Sequence, residues 1–198
     1  MKTRRESAEA TRESLLDHAL TLFSERGYAA TSVRDVIQAA GVTQPTLYYH
    51  FHDKLGLFQA LIERYYGETH TQLEQIVSTI SGCEARLRTL IWRSFEFCRA
   101  DPRVPRLMFQ THYGPRILEI DGILDGLTSR RFRLVTRIML EGIEQGELRP
   151  ADPEFLALGF CSLMDQPLNV FSRRSRPSRF LTRELAESLV TLFLQGSR

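Results

Sequence analysis

The sequence predicts an all-α fold, and three observations support that prediction. Apolar residues recur at helical spacing along most of the 198 residues, as at Leu15, Ala19 and Phe23 near the N-terminus. Glycines stand where left-handed helix caps are expected, at Gly27 and Gly41. No Asn-Gly or Asp-Gly turn joins two alternating apolar segments, so no β-hairpin is predicted.

Composition excludes several classes of protein. With 42% hydrophobic and 25% charged residues, the chain is neither disordered nor collagen-like. No apolar stretch approaches the ~18 residues of a membrane span, and the polar start is not a secretory signal. The three cysteines, Cys83, Cys98 and Cys161, are odd in number and too far apart for a disulfide framework. We therefore expect a cytoplasmic protein that does not associate with a membrane.

The first two helices are bounded by cap signals. The apolar spacing predicts a helix over residues ~8–26 that ends at Gly27. Ser32 and Asp35 then fit a reciprocal capping arrangement at the start of a second helix. This helix ends after about two turns at Gly41, where glycine permits a tight left-handed turn.

The third and fourth helices follow at once. Thr43 can cap a short third helix with Pro45 in its first turn, where the missing N–H has no cost. Asp53 can cap a long fourth helix, which runs from Lys54 toward Ile80 over ~40 Å. The second and third helices are therefore two short helices joined by a glycine-containing turn.

The rest of the chain keeps helical spacing. Helices are expected around residues 87–98, 117–140 and 153–164 and after Thr182, with a short irregular helical segment between Pro105 and Pro115. Before the last helix lies an arginine-rich segment with Arg173, Arg174, Arg176, Arg179 and Arg183. This segment is interpreted as an exposed connection, with a second anion contact as the alternative.

The first three helices have the outline of a helix-turn-helix module. The net charge of +2 is too small to indicate DNA binding, so this hypothesis depends on where groups are placed. In such a module the third helix protrudes into a major groove ~12 Å wide. Gln44 can pair with an adenine edge there, and Pro45 and the Thr46 methyl can contact a thymine methyl.

Aromatic residues on the third helix suit contacts to sugar and phosphate. Tyr48 and Tyr49 offer flat rings and hydroxyl groups, and His50 can donate to a phosphate. The alternative for either tyrosine is packing against the first or fourth helix. His50 and His52 face different sides of a helix, so no metal site is expected from them.

Two helix N-termini can serve as anion sites because their backbone N–H groups lack partners. Thr31 and Ser32 stand at the second helix, where Arg34 can reach a base or a phosphate. Lys54 stands at the fourth helix, and its ammonium would add to the attraction. The alternative for Lys54 is a solvated surface charge.

The strings ALTLFSERGYAATSVRDVIQAAGV and TQPTLYYHFHDK resemble the DNA-binding domain of the tetracycline-repressor (TetR) family of bacterial regulators. The resemblance implies an all-helical dimer, a pseudo-palindromic double-stranded DNA operator and a small-molecule effector bound in a second domain. It divides the chain into a DNA-binding domain, residues 1–55, and an effector-binding and dimerisation domain, residues 56–198. It assigns DNA contacts to Arg34, Thr43, Gln44, Pro45, Thr46, Tyr48, Tyr49, His50 and Lys54.

Two positions depart from the family pattern. Ile37 stands where members usually carry alanine, which predicts a looser or shifted crossing of the second and third helices. Gly56 interrupts the usual Lys-Glu-x-Leu pattern that begins at Lys54. Glycine here is expected to weaken the first turn of the fourth helix by ~1 kcal/mol relative to alanine.

A set of aromatic and polar residues in the second half can line a ligand cavity: Trp92, Phe95, Phe109, His112, Tyr113, Phe160, Met164, Asp165 and Asn169. Its apolar members can equally be ordinary core. His112, Asp165 and Asn169 lie among apolar neighbours and would orient a ligand if buried. A buried Asp165 is costly without compensation, so we expect a partner, water or exposure.

The last two helices carry more apolar surface than a peripheral pair keeps from water, at Leu156, Leu163, Leu185, Leu189, Leu192 and Phe193. The resemblance implies that these helices pair with their symmetry mates in a four-helix bundle. A homodimer would also place two recognition helices one DNA turn apart, ~34–36 Å.

The resulting hypothesis is a ligand-responsive transcriptional regulator, a repressor that an unidentified small-molecule effector releases from DNA. The alternative is a helical small-molecule-binding protein or an enzyme without DNA binding. The sequence has no Ser-His-Asp order, phosphate-binding glycine loop or His-Glu-x-x-His motif, so no catalytic residue, cofactor or metal is expected. An enzyme would also leave the polar residues between Gln44 and His50 unexplained.

Overall fold

The computed structural model describes residues 4–172 and 181–197, and every regular element within these ranges is helical. The α-helices are α1 (Arg4–Arg26), α2 (Val33–Ala40), α3 (Gln44–Phe51), α4 (Lys54–Ile62), α5 (Glu68–Ser78), α6 (Cys83–Ala100), α7 (Arg103–His112), α8 (Leu118–Glu144), α9 (Pro153–Ser172) and α10 (Arg183–Ser197). A π-helical turn, Glu63–Gly67, joins α4 to α5. The all-α prediction is confirmed. None of the described helices combines the length and the apolar character that a membrane crossing requires.

The predicted caps of the first helices are confirmed. Gly27 and Gly41 have φ values of 85° and 64°, in the left-handed region that glycine adopts without strain. At the start of α2, the Asp35 N–H donates to the Ser32 hydroxyl (3.1 Å) and the Ser32 N–H donates to the Asp35 carboxylate (2.8 Å). These two bonds fix the N-terminus of α2 reciprocally.

The predicted long fourth helix is interrupted. Its path continues from Lys54 to Ser78, but the π-helical turn at Glu63–Gly67 divides it into α4 and α5. Pro105 is not a helix boundary, because α7 already begins at Arg103 and Pro105 is buried in its first turn. Of the arginine-rich segment, Arg173, Arg174, Arg176 and Arg179 lie outside the described residues.

Apolar side chains form two cores. The first core joins α1, α2, α3 and α4 with Leu107 of α7 and with Ile120 and Leu124 of α8. The second core joins α5, α6, α8, α9 and α10. Leu57 and Phe58 belong to the first core, so the N-terminal packing unit extends beyond residue 55.

Candidate nucleic-acid interface and ligand cavity

Helix α3 presents one buried face and one exposed face. Leu47 and Phe51, four residues apart, are buried in the first core. Gln44 is exposed on the other side, where 40% of Tyr48 and 77% of Tyr49 are also exposed. The tyrosines are therefore not core residues, and α3 carries a polar and aromatic surface on a well-anchored helix.

Residues near both ends of α3 make contacts with their neighbours in the sequence. Thr43 is the N-cap residue of α3, but its hydroxyl pairs with the Thr46 hydroxyl (2.8 Å) and makes no capping hydrogen bond. His50 is half-buried, with its ring centroid 5.0 Å from that of Tyr49. No group of three or more His, Cys, Asp or Glu residues within 4–172 and 181–197 is placed to hold a metal ion.

The N-terminus of α2 departs from the sequence interpretation. Thr31 is buried, and its hydroxyl donates to the carbonyl oxygens of Gly27 (2.9 Å) and Leu22 (3.3 Å). The prediction that the Thr31 side chain contacts DNA is therefore wrong. Ser32 and Arg34 are exposed, and the Asp35 carboxylate accepts hydrogen bonds from the N–H (2.8 Å) and the hydroxyl (2.5 Å) of Ser32.

The N-terminus of α4 is capped by Asp53, which accepts a hydrogen bond from the Gly56 N–H (2.7 Å). Lys54 is half-buried, and its Nζ lies 4.1 Å from the centroid of the Tyr28 ring. Burial lowers the pKa of Lys54, and the carboxylate of Glu119 on α8 opposes that shift. Lys54 therefore stands where the N-terminal helices meet α8.

A cavity of about 240 Å³ lies between the π-helical turn and helices α5 to α9. Tyr65 and Tyr66 of the π-helical turn form the side nearest the first core. The Tyr66 hydroxyl donates to the carbonyl oxygen of Val104 on α7. The lining is mainly apolar, which is typical of small-molecule sites.

Four of the nine predicted ligand residues line this cavity, Phe109, His112, Met164 and Asp165. The other five do not. Phe95 and Phe160 are buried in the second core, and Trp92 packs against it. Tyr113 is exposed and stacks on Phe109 from outside, and Asn169 is half-buried away from the cavity lining. Phe95, Phe160 and Trp92 are therefore ordinary core residues, the alternative that the sequence left open, and Tyr113 faces solvent.

Asp165 was expected to need a partner, water or exposure, and the structure gives it a partner, Arg131 of α8. The two guanidinium nitrogens of Arg131 donate to the two carboxylate oxygens, each at 2.7 Å. This bidentate pair lies on the cavity wall. His70 of α5 lines the same cavity and is only 9% exposed, although no sequence pattern predicted it as a ligand residue.

The last two helices expose an apolar stripe, which we call the α9–α10 face. Leu163, Pro167, Leu185 and Leu189 line a shallow groove between the helices. On the same helical faces, Phe155 is 73% exposed and Leu192 is 59% exposed. Leu156 and Phe193 instead point into the second core, so their assignment to a dimer interface is wrong.

Comparison with known proteins decides the family. Residues 15–61 match the sequence profile of bacterial regulatory proteins of the tetR family. These residues, which include α2, α3 and most of α4, are therefore a DNA-binding domain of the tetR family. The chain is 27% identical over 169 residues to the transcriptional activator FasR of Mycolicibacterium smegmatis, covering 84% of this chain and 74% of FasR. It is 36% identical over 85 residues to the transcriptional repressor KstR2 of Rhodococcus jostii, covering 43% of this chain and 42% of KstR2.

Solved structures of other regulators share the fold of this chain. FadR of Bacillus subtilis, solved with stearoyl-CoA, has a TM-score of 0.82 at 19% identity, covering 94% of this chain and 99% of FadR. AibR, solved with isovaleryl coenzyme A and operator DNA, has a TM-score of 0.73 at 22% identity, covering 92% of this chain and 97% of AibR. The matched domain is that of bacterial regulatory proteins, and the relatives named above are transcriptional regulators rather than enzymes.

Proposed function

We propose that this chain is a repressor that binds a pseudo-palindromic operator as a homodimer and leaves it when a small molecule enters the cavity. The observation that carries the proposal is the outward face of α3, where Gln44, Tyr48 and Tyr49 are exposed on a helix whose other face is buried. A helix end with free amide and hydroxyl groups matches the hydrogen-bonding edges of a major groove.

The proposed contacts divide into two kinds. Gln44, Pro45 and Thr46 stand at the N-terminal end of α3, the end that contacts bases in this module. Thr43, Tyr48, Tyr49, His50, Ser32, Arg34 and Lys54 remain proposed contacts to phosphate, sugar or base. Of this second group, Lys54 must reach past the ring of Tyr28 to meet a phosphate.

The cavity is the proposed effector site, and α7 is the proposed connection to the DNA-binding helices. Arg103 of α7 donates to the Thr21 hydroxyl (2.8 Å) and to the Asp17 carboxylate (2.7 Å) of α1. The Gln110 amide, in its hydrogen-bonded orientation, donates to the carbonyl oxygen of Phe23 (3.2 Å). Since Phe109 of the same helix lines the cavity, a ligand that shifts α7 would also move α1.

That connection gives a physical route for release from DNA. An effector that favours one arrangement of α7 would change the separation of the two α3 helices in the dimer. A coupling of ~1–3 kcal/mol changes operator affinity ~5–150-fold. The structures of FadR with stearoyl-CoA and of AibR with isovaleryl coenzyme A support a small-molecule effector for this fold.

The homodimer is proposed to form through the α9–α10 face. Leu163, Leu185 and Leu189 line its groove, and Leu192 stands at its exposed edge. Exposed apolar stripes on two adjacent helices are the surface that a four-helix bundle between subunits would bury. Two-fold pairing then presents two copies of α3 to one operator.

The proposal is tested by gel-shift titration against the DNA that flanks the gene. The wild type should prefer one pseudo-palindromic fragment. The double variant Gln44→Ala/Tyr48→Ala should bind that fragment at least about tenfold more weakly, because it lacks a base-pairing amide and an aromatic contact. Its fold and dimerisation should be unchanged, since both side chains are exposed.

The matched control is Gln72→Ala/Gln75→Ala, which removes two exposed glutamines from α5. This control should bind the fragment as the wild type does. Equal binding of every DNA sequence by the wild type would contradict the proposal, as would an unchanged affinity of the Gln44→Ala/Tyr48→Ala variant.

A further inference from the structure

His70 is a buried polar side chain that the described residues, 4–172 and 181–197, leave without a hydrogen bond. Both ring nitrogens are inaccessible to solvent and lack a partner within these ranges. The residue lines the cavity near Thr69 and Leu73 of the same helix face. Buried polar groups nearly always find partners, and a ligand group in the cavity that draws the ring toward it would supply the missing one.

His70 is neutral near pH 7. Burial is the largest effect and lowers its pKa, Glu74 and a backbone hydrogen bond of His70 oppose that shift, and the positive charges of Arg130 and Arg131 add to it. A neutral imidazole carries one N–H donor and one nitrogen acceptor. It can therefore donate to a carbonyl oxygen, or exchange hydrogen bonds with a hydroxyl group.

The charged groups on the cavity wall are already paired. Arg131 holds Asp165 through two hydrogen bonds of 2.7 Å. Asp101 accepts hydrogen bonds from Arg103, the closest at 2.7 Å. Among the described lining residues, a ligand carboxylate would thus find no unpaired arginine or lysine, unless Arg131 gave up its bonds to Asp165 and left that carboxylate unpaired.

Covalent capture of a ligand by a cysteine would need a reactive thiolate on the described part of the cavity wall. Cys98 is the cysteine on the described wall. Burial raises the pKa of Cys98 to about 12, so the sulfur is a thiol and not a reactive thiolate near pH 7. Binding is therefore reversible and depends on shape and hydrogen bonding.

We propose that the cavity selects an apolar molecule with one neutral oxygen group, a carbonyl or a hydroxyl, placed against His70, and that it disfavours a free carboxylate. The proposal deepens the proposed function, because it takes the cavity as the effector site. A hydrocarbon alone would leave both nitrogens of His70 unpaired. The volume of about 240 Å³ lies just below the range of ~300–1,000 Å³ for drug-sized ligand sites, so an eight-carbon chain is a suitable probe.

The test is calorimetric titration of the full-length dimer with 2-octanone, 1-octanol and octanoate at pH 7.5. The wild type should bind the ketone and the alcohol at least about tenfold more tightly than octanoate. His70→Phe keeps an aromatic ring but has neither nitrogen, and it should bind the ketone about tenfold more weakly. His70→Gln restores a donor and an acceptor and should recover most of the affinity.

The control is His52→Asn, at an exposed histidine outside the cavity. Its affinity for 2-octanone should stay within about twofold of the wild-type value, which is below the effect of one hydrogen bond. Nitrogen NMR of the unaltered protein gives a second readout. The His70 ring resonances should shift on addition of 2-octanone, even where a variant fails to fold.

Three results would overturn the inference: octanoate binding as tightly as the ketone, equal ketone affinity in wild type and His70→Phe, or no binding of any probe. Unmoved His70 resonances would do so as well. None of these readouts involves DNA. If ligand binding behaves as expected while operator binding fails, the repressor proposal is wrong and the ligand class stands.

Discussion

Gly56 has no side chain, and this allows the start of α4 to approach the end of α3 closely. A Cβ at this position would lie 2.1 Å from the carbonyl oxygen of Phe51, far inside van der Waals contact. The clashing atom belongs to the backbone at the end of α3, so it has little freedom to move. The expectation that alanine would stabilise this turn is therefore wrong, because sterics outweigh helix propensity here.

Gly56→Ala should lower the free energy of unfolding by about 1–3 kcal/mol, the cost of overpacking. Urea denaturation of the purified dimer measures this change. The control is Gly126→Ala in α8, where a Cβ would meet nothing within 4 Å. That variant should be neutral or gain up to ~1 kcal/mol from helix propensity. A Gly56→Ala protein at least as stable as the wild type would contradict the steric account.

His70 makes the stability of the protein depend on pH. Burial holds its pKa below the ordinary value, so below pH ~6.5 the unfolded chain binds a proton that the folded chain does not. The free energy of unfolding should therefore fall as the pH drops from 7.5 to 5.5. His70→Gln removes the group that binds this proton. Urea denaturation at the two pH values should therefore show a smaller fall in the free energy of unfolding for this variant.

The control for the pH experiment is His52→Asn, which replaces an exposed histidine at φ 62° with a residue that tolerates this conformation. It should keep the full wild-type fall. An identical fall in wild type and His70→Gln would contradict a buried neutral His70.

The sequence supports predictions about residues whose environment is local. The Ser32–Asp35 cap and the Asp53 cap depend on neighbours three residues away, and both form. The cost of burying Asp165 also predicts that it needs compensation. Its partner Arg131 is 34 residues distant, and no local pattern selects one arginine among many. His70 was missed for the same reason, since a cavity is assembled from helices that are far apart in sequence.

At the scale of elements, capping residues in the sequence predict where a helix begins and ends. They do not predict which face of the helix is buried. Helix α9 is apolar on several sides, and successive residues differ by about 100° around a helix. The sequence analysis assigned Leu156 to the dimer interface, whereas the structure buries it in the subunit and exposes Phe155. On α10 both Leu192 and Phe193 were predicted for the interface, and the structure exposes Leu192 but buries Phe193. Only the packing of the whole subunit decides which stripe faces solvent.

The π-helical turn between α4 and α5 also lacks a sequence signal. The apolar spacing continues through Glu63–Gly67, so a single helix is the natural prediction. A π-helical turn contains an extra residue, and such turns are frequent at functional sites. Here the turn contributes Tyr65 and Tyr66 to the cavity lining, which connects the ligand site to the helix that follows α3.

The α9–α10 face should control dimerisation. Phe155→Glu/Leu192→Glu places two charges on its exposed side chains, where burial against a partner subunit would be strongly unfavourable. Analytical ultracentrifugation should show a dimer for the wild type and a folded monomer for the variant. The control is Leu140→Glu, at an exposed leucine of α8, which should remain dimeric. A Phe155→Glu/Leu192→Glu protein that stays dimeric would rule out this interface.

At the scale of the whole molecule, the proposed DNA recognition depends on two subunits acting together. One α3 is eight residues long and can read only a few base pairs. The monomeric variant should therefore lose operator affinity although its α3 is unchanged. The same reasoning explains why a small movement of α7 can matter, since it acts on the separation between two copies of α3.

Methylation interference on the preferred operator tests the central claim most directly. Guanine N7 lies in the major groove, and adenine N3 lies in the minor groove. If two copies of α3 enter successive major grooves, methylation of guanine N7 should block binding in two clusters centred ~10–10.5 base pairs apart. A single cluster, or interference only at adenine N3, would contradict the proposed interface.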